Sequence, residues 1–193
     1  MRVIDAATTR RHLAFAPLID ALRAAFVAGA EVPARHVHRI EGSGGGTLLL
    51  MPAWRPGARL GLKTVTIFPA NSALGLPGLH STYLLFDAAT GAPLAQIDGD
   101  EITSRRTAAA SALAASFLAR ADARRLLIVG AGRVASLLAP ALRAVRPIDT
   151  VQVWNHRSAP AHALAARLRD EGFDAVERES LSCTASPAPD PSP

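Results

Sequence analysis

The segment from Leu126 to Ala135, LLIVGAGRVA, has the residue types and the order of a phosphate-binding turn. Branched apolar residues run directly into Gly130-Ala131-Gly132, and a helix-forming stretch follows, which predicts a buried strand, a tight turn and a helix. Gly130 can adopt the backbone angles of the turn, Gly132 lets the main chain approach a pyrophosphate, and Ala135 lets helix and strand pack closely. The pattern favours dinucleotide binding; the alternative is a glycine turn that binds no ligand.

The single lysine is a second residue whose chemistry stands out. Arginine supplies 20 of the 21 basic residues, and Lys63 lies inside an apolar, strand-like stretch. One explanation is that a compact ammonium group is required at that place. The other is chance.

The elements that must position these residues differ between the two halves of the chain. Phe15 to Gly29 has the apolar spacing of a packing helix. From residue 32 to residue 98, short β-like runs are separated by glycine, proline and asparagine, and Asp87 to Gly91 is typical of a hairpin loop. This half is predicted to be α+β with a mostly antiparallel sheet. The runs are Val37 to Ile40, Thr47 to Met51, Arg59 to Phe68, Ser81 to Asp87, and Pro93 to Ile97.

An alanine-rich helix from Ser104 to Ala119, with Thr103 or Ser104 as its N-cap, is predicted to link the two halves. Beyond it, strands and helices alternate, which predicts a parallel sheet. Two or three strands are too few for a complete dinucleotide fold, so we expect the second domain to be incomplete and the serine- and proline-rich end of the chain to be disordered. The alternating elements are strand Leu126 to Val129, helix Arg133 to Ala144, strand Thr150 to Trp154 and helix Pro160 to Arg169.

Composition disfavours several classes of function. The net charge of +5 and a pI of about 10.8 invite a nucleic-acid interpretation, but the basic residues are dispersed and aromatic residues make up only 5%. No apolar run approaches the roughly 20 residues of a membrane span, and the N-terminus lacks a signal-peptide core. We therefore expect a cytoplasmic protein without nucleic-acid or membrane partners. The single cysteine, Cys183, excludes an internal disulfide and a multi-cysteine metal site, and we expect no metal.

Several longer segments are distinctive in content and order, and together they are far more specific than the glycine turn. They are Arg35, LLLMPAW at 48–54, GLK at 61–63, Asn71 followed by GLPG at 75–78, LLFDAATGAPLA at 84–95, ITSRRTAAASALAA at 102–115, and VGAGRVA at 129–135. With these segments the chain resembles the ornithine cyclodeaminase/mu-crystallin family from Arg2 to about Asp174.

The resemblance implies an α/β fold. An N-terminal α+β domain for dimerisation and substrate binding, with a mostly antiparallel sheet, would occupy residues 1–120. An incomplete Rossmann-type dinucleotide-binding domain would occupy residues 121–177, and a disordered tail residues 178–193. A homodimer is implied for an intact subunit. In the family the Rossmann domain is longer and carries an acid/base aspartate in its second half, beyond residue 193 of this chain.

The resemblance also implies a substrate site for a small amino or imino acid. Arg35, Lys63 and Arg106 would hold the carboxylate, since three converging cations repel each other unless an anion joins them, and Lys63 would be the catalytic residue. Without the resemblance, three solvated surface cations would be the preferred interpretation. Arg105, about 100° around the helix, is expected to face solvent. Two further residues have open alternatives. Asn71 lies in a family motif or serves a turn, and His80 is expected to pack or hydrogen-bond near the cleft, with a catalytic role as the less favoured alternative.

The cofactor is predicted to be a nicotinamide dinucleotide. NADP(H) is favoured and NAD(H) is possible, because Asn155, His156 and Arg157 follow the second strand where NAD-specific domains place an acid. The glycine turn and Thr107 of the alanine-rich helix supply the remaining predicted contacts with the cofactor. The cofactor-binding residues are Thr107, Gly130, Gly132, Arg133, Val134, Asn155 and Arg157.

The substrate is narrowed by one departure from the family. Ornithine-specific members carry a glutamate two residues before the Met-Pro pair, and this chain has Leu49. An apolar residue cannot compensate a second positive charge, so reduction of a cyclic ketimine such as Δ1-pyrroline-2-carboxylate is preferred. The alternatives are an NAD+-dependent ornithine cyclodeaminase, an alanine-type amino-acid dehydrogenase and, in another class, a non-catalytic fragment or small-molecule-binding protein. Whether this chain is itself an enzyme is left open by its missing C-terminal segment.

Overall fold

A six-stranded sheet forms the first half of the computed structural model, which describes residues 1–42 and 44–180. Its strands are β1 (Arg2–Ile4), β2 (His36–Ile40), β3 (Gly46–Arg55), β4 (Arg59–Ile67), β5 (Leu79–Asp87) and β6 (Pro93–Asp98). Their order is β1-β6-β5-β4-β3-β2, and every neighbouring pair is antiparallel except β1 and β6. The predicted mostly antiparallel sheet is confirmed, as is the hairpin between β5 and β6.

In the described residues, three α-helices accompany this sheet: α1 (Ala6–His12), which was not predicted, α2 (Phe15–Ala28) and α3 (Gly99–Leu118). A short 3-10 helix (Pro69–Leu74) joins β4 to β5. The predicted start of α3 at Ser104 is wrong, because the N-cap is Asp98 and not Thr103 or Ser104. The Asp98 carboxylate accepts the N–H of Glu101 at 2.7 Å, which satisfies a free donor of the first turn. Arg106 consequently lies about two turns inside the helix.

The second half is a parallel three-stranded sheet in the order β7 (Arg125–Val129), β8 (Thr150–Trp154), β9 (Asp174–Glu177). Helix α4 (Ala135–Arg143) connects β7 to β8, and helix α5 (Ser158–Asp170) connects β8 to β9. Helix α4 begins two residues after the predicted Arg133. Adjacent parallel strands joined by helices are the arrangement of the first part of a Rossmann-type domain, so the fold is α/β with an incomplete domain of that type.

Helix α3 packs between the two halves because its side chains are small. Ala108, Ala109 and Ala112 have no exposed surface, and they share one apolar cluster with Ile19 of α2 and Ala141 of α4. A helix with alanine on this face lets its neighbours approach closely. The position of every side chain on α3 therefore depends on both halves.

Two further predictions concern a membrane span and the end of the chain. In the part of the chain that is described, no helix is long and apolar enough to cross a membrane. The tail predicted at 178–193 lies, from residue 181 onward, outside the described residues, as does Cys183. The domain boundaries near residues 120 and 177 stay predictions.

Candidate functional site

Lys63 lies at the centre of the antiparallel sheet. It is on β4, directly between Met51 of β3 and Tyr83 of β5. Because side chains alternate along a strand, these three share one face of the sheet. Leu49, two residues before Met51, lies on that face as well and is half-buried.

The other two predicted carboxylate ligands are brought to Lys63 by different elements. Arg35 directly precedes β2, and Arg106 lies on α3; both are exposed, whereas Lys63 is half-buried. Burial lowers the pKa of Lys63, and the positive charges of Arg106 and Arg35 lower it further. The structure thus brings these three cations, distant in sequence, into one electrostatic cluster, which we call the cation cluster.

The cation cluster lacks a carboxylate of its own. Within residues 1–42 and 44–180, no Asp or Glu oxygen lies within 4.0 Å of the charged nitrogens of Arg35, Lys63 or Arg106. Three cations held together without a counter-charge repel each other, so an anion that joins them is favoured. A carboxylate suits this arrangement, because guanidinium groups can offer paired hydrogen bonds to it.

Three further residues that the sequence analysis considered, Asn71, His80 and Arg105, have defined placements in the structure. Asn71 donates from Nδ2 to the carbonyl of Pro77 at 2.9 Å, so its turn role is the one observed. His80 is exposed on β5. The prediction that Arg105 faces solvent is wrong: it is half-buried, donates from Nε to the Leu13 carbonyl at 2.7 Å and stacks on Phe15 at 4.5 Å.

The glycine turn has the geometry that its sequence predicts. Gly130 has φ of +107°, a conformation that favours glycine, and its N–H donates to the Trp154 carbonyl at the end of β8 at 2.7 Å. A Cβ on Gly132 would meet nothing within 4 Å, so the backbone is open to a close approach. In the described residues, the N–H groups of residues 132–134 have no protein acceptor. Free donors before a helix fit a dinucleotide pyrophosphate.

An ion pair connects this turn to helix α3. Arg133 lies 3.4 Å from Asp100 of α3, and Asp100 in turn accepts the Ser81 hydroxyl of β5 at 2.8 Å. A sequence signal for this contact was missed: an aspartate cap followed by acids in the first turn predicts an earlier helix start. Thr107, farther along α3, donates its hydroxyl to the Thr103 carbonyl at 2.6 Å.

The carboxyl ends of β8 and β9 enclose a cavity of about 380 Å³. Asn155, whose Nδ2 donates to the Arg157 carbonyl at 2.9 Å, lines it together with His156. Arg157 itself is exposed. Glu177 and Glu179 line the same cavity, and Glu177 lies 3.6 Å from His162. The sequence interpretation, which found no acid beside Arg157, missed these carboxylates because it did not assign β9.

Comparisons with known proteins agree with this architecture. A family model described as the ornithine cyclodeaminase/mu-crystallin family matches residues 2–184. The chain is 42% identical over 144 residues to a Delta(1)-pyrroline-2-carboxylate reductase of Paracoccus denitrificans, covering 74% of this chain and 44% of that protein. It is 48% identical over 183 residues to an uncharacterised protein of Schizosaccharomyces pombe, covering 90% and 56%.

A solved structure extends the comparison to the fold. The Delta(1)-pyrroline-2-carboxylate reductase of Thermococcus litoralis, in complex with NADH and L-proline, matches with a TM-score of 0.77 and 30% identity. The match covers 94% of this chain and 58% of that one. The chain thus spans about half the length of the relatives it matches.

Proposed function

Because the chain belongs to the ornithine cyclodeaminase/mu-crystallin family, we propose that it carries the carboxylate site and the first part of the dinucleotide site of an NAD(P)H-dependent imine reductase. The preferred substrate is a cyclic ketimine carboxylate of the Δ1-pyrroline-2-carboxylate type, which becomes an amino acid. The observation that carries this proposal is the cation cluster: burial and then the charges of Arg106 and Arg35 lower the pKa of Lys63, and among the described residues no carboxylate pairs with the cluster. Relatives named for this reduction support it.

The cation cluster would orient the substrate. Arg35 and Arg106 would bind the carboxylate oxygens and Lys63 would contact them from the sheet, so that the ring lies over β4. Reduction of C=N needs a hydride at carbon and a proton at nitrogen. Lys63, whose pKa is already lowered, is the group of this cluster suited to hold that proton, and we assign it the catalytic role. The acid/base aspartate of the family would come from beyond residue 193.

The dinucleotide would lie on the glycine turn. Gly130 and Gly132 would allow the approach of its pyrophosphate, with N–H donors from residues 132–134. Bound there, the reduced nicotinamide would supply the hydride. Arg133 and Thr107 would border the bound dinucleotide. We propose NADP(H) as the preferred form, because Arg157 can pair with a 2′-phosphate; NAD(H) is the alternative, since Glu177 and Glu179 lie nearby.

Leu49 supports a substrate without a second positive charge. It shares the sheet face of Lys63 and is half-buried, so the part of a substrate beyond the carboxylate would meet an apolar side chain. A diamine such as ornithine would bury an ammonium there without a counter-charge, which is costly. The pyrroline ring avoids this cost. Cyclodeamination and acyclic amino-acid dehydrogenation are therefore the less favoured reactions.

Binding of L-proline, the expected product, tests the carboxylate site directly. We expect calorimetric titration of the purified chain to show binding that Arg106→Gln weakens by about tenfold or more, as for a lost charge-assisted hydrogen bond. Arg39→Gln, which removes another exposed arginine, on β2, should leave binding unchanged. A folded chain that binds neither L-proline nor NADPH would instead support a non-catalytic fragment.

The cofactor preference has its own measurement. NADPH and NADH are titrated by fluorescence against the unchanged chain, Arg157→Ala, and Arg125→Ala, a control on the exposed arginine that begins β7. We expect Arg157→Ala to weaken NADPH binding and to spare NADH. Equal loss for both dinucleotides would contradict the 2′-phosphate assignment. Two further measurements are an assay for reduction of Δ1-pyrroline-2-carboxylate, which tests the proposed reaction, and analytical sedimentation, which tests the implied homodimer.

A further inference from the structure

A cleft of about 740 Å³ opens on the other side of α3, between both halves of the chain. It is bounded by α1, α3, α4, α5 and the segment around Phe15, and it contains none of the three residues of the cation cluster. Its ionisable lining residues are four arginines and two glutamates, so positive groups exceed negative ones by two. They are Arg10, Arg105, Arg133, Arg167, Glu101 and Glu171.

Three of these arginines have carboxylate partners. Arg10 lies 2.6 Å from Glu101, Arg167 lies 3.4 Å from Glu171, and Arg133 pairs with Asp100. The three arginine side chains are between 48% and 61% exposed, and exposed ion pairs of this kind are weak. A ligand with negative groups could therefore exchange for these partners at little cost.

Arg105 is the exception. It is half-buried, and its Nε and its ring contact are used by the Leu13 carbonyl and by Phe15. In the described part of the chain, its two terminal nitrogens donate to no acceptor, and no carboxylate lies within ion-pair distance. Burial lowers the pKa of this guanidinium, and Glu101 offsets the effect only in part.

We propose that this cleft binds a small anion with two or more negative groups, either a di- or tricarboxylate or a pyrophosphate. The terminal nitrogens of Arg105 form its centre and Arg10 and Arg133 contribute from the rim. A planar guanidinium held by stacking is already oriented for paired hydrogen bonds to a carboxylate or phosphate. Because Arg133 follows the glycine turn, the anion would bind behind the dinucleotide loop, on the helix layer.

Citrate and pyrophosphate are the probes, each titrated calorimetrically into the purified chain at low ionic strength. We expect at least one of them to bind, and Arg105→Gln to weaken it by at least about tenfold, as for loss of a charge-assisted pair. Arg39→Gln and Arg125→Gln, which change exposed arginines outside this cleft, should leave this binding unchanged. The two probes distinguish a carboxylate ligand from a phosphate ligand.

Loss of binding in Arg106→Gln, which changes the cation cluster, or in Gly132→Ala, which changes the glycine turn, with Arg105→Gln unaffected, would place the anion in those sites and overturn the proposal. So would the absence of binding by both probes at millimolar concentration. Arg105→Gln also removes the bond to Leu13, so circular dichroism must show that it folds. If Arg105→Gln does not fold, Arg10→Gln is the test, because the Arg10 side chain is 61% exposed and can be replaced without unfolding the protein. Unchanged affinity in Arg10→Gln would refute anion binding in this cleft.

Discussion

Replacing Lys63 by methionine should make the protein more stable while abolishing binding at the proposed carboxylate site. The ammonium is half-buried, which lowers its pKa, and the positive charges of Arg106 and Arg35 lower that pKa further. Methionine has a similar length and no charge, and it adapts well to irregular apolar surroundings. The substitution therefore removes unfavourable electrostatics without opening a large void.

The expected gain is about 1 kcal/mol. Partly exposed charge pairs interact by roughly 0.2–1 kcal/mol each, and Lys63 faces two like charges, Arg106 and Arg35. For a chain of this size, about 1 kcal/mol corresponds to roughly 2–4 °C in Tm. Thermal unfolding followed by tryptophan fluorescence is a suitable assay, because Trp54 on β3 and Trp154 on β8 report on both halves.

The pH dependence gives an independent check. A cation whose pKa is lowered in the folded state destabilises that state fully at pH values below the lowered pKa, because it is then charged in both the folded and the unfolded state. As the pH rises toward 10.5, the ordinary pKa of a lysine, the folded state releases its proton before the unfolded state does, so the stability of the unchanged protein rises. The advantage of Lys63→Met should accordingly shrink as the pH increases.

A double-mutant cycle with Arg106→Gln isolates the electrostatic part. We expect the stabilisation by Lys63→Met to be smaller in the Arg106→Gln background, since one repulsion is already gone. A lower Tm for Lys63→Met, or an equal gain in both backgrounds, would refute the view that like charges strain this site.

Two further substitutions test the backbone and the helix ends. A Cβ on Gly61 would overlap the phenol of Tyr83, so Gly61→Ala should lower the free energy of unfolding by about 1–3 kcal/mol. Gly132→Ala should leave the free energy of unfolding in urea unchanged and should weaken NADPH binding. Arg146 donates to the carbonyls of Ser116 and Ala119 at 2.7 and 2.9 Å at the end of α3; Arg146→Ala should lower the unfolding free energy by about 1–3 kcal/mol, with exposed Arg125→Ala as the control that should not.

Local patterns predicted the parts of the fold that depend on local chemistry. The glycine turn at Gly130 follows from a positive φ that favours glycine, and the β5–β6 hairpin from the turn residues between Asp87 and Gly91. The start of α3 was missed because two cap signals compete within six residues. Threonine at 103 is a good cap, but Asp98 also places Asp100 and Glu101 in the first turn, where the helix dipole favours acids.

Sites that depend on distant residues could not be read from pattern alone. Nothing near Lys63 in sequence indicates that Arg35 and Arg106 lie close to it; the family resemblance supplied that expectation, and the electrostatic cluster agrees with it. Similarly, Glu177 reaches the cavity beside Asn155 only because β9 pairs with β8 in parallel register. Such contacts are set by the order of strands in the sheet, which the short apolar runs leave undetermined.

The consecutive arginines of α3 illustrate why residue type alone was insufficient. Neighbouring side chains on a helix point about 100° apart, so Arg105 and Arg106 cannot both bind the same carboxylate. Arg106 is exposed beside Lys63, while Arg105 is half-buried against Phe15 on the side of the cleft. Since α3 also packs on α2 and α4 through alanines without exposed surface, a rotation that moved one arginine would displace the other. The two proposed anion sites would therefore be coupled through the position of this one helix.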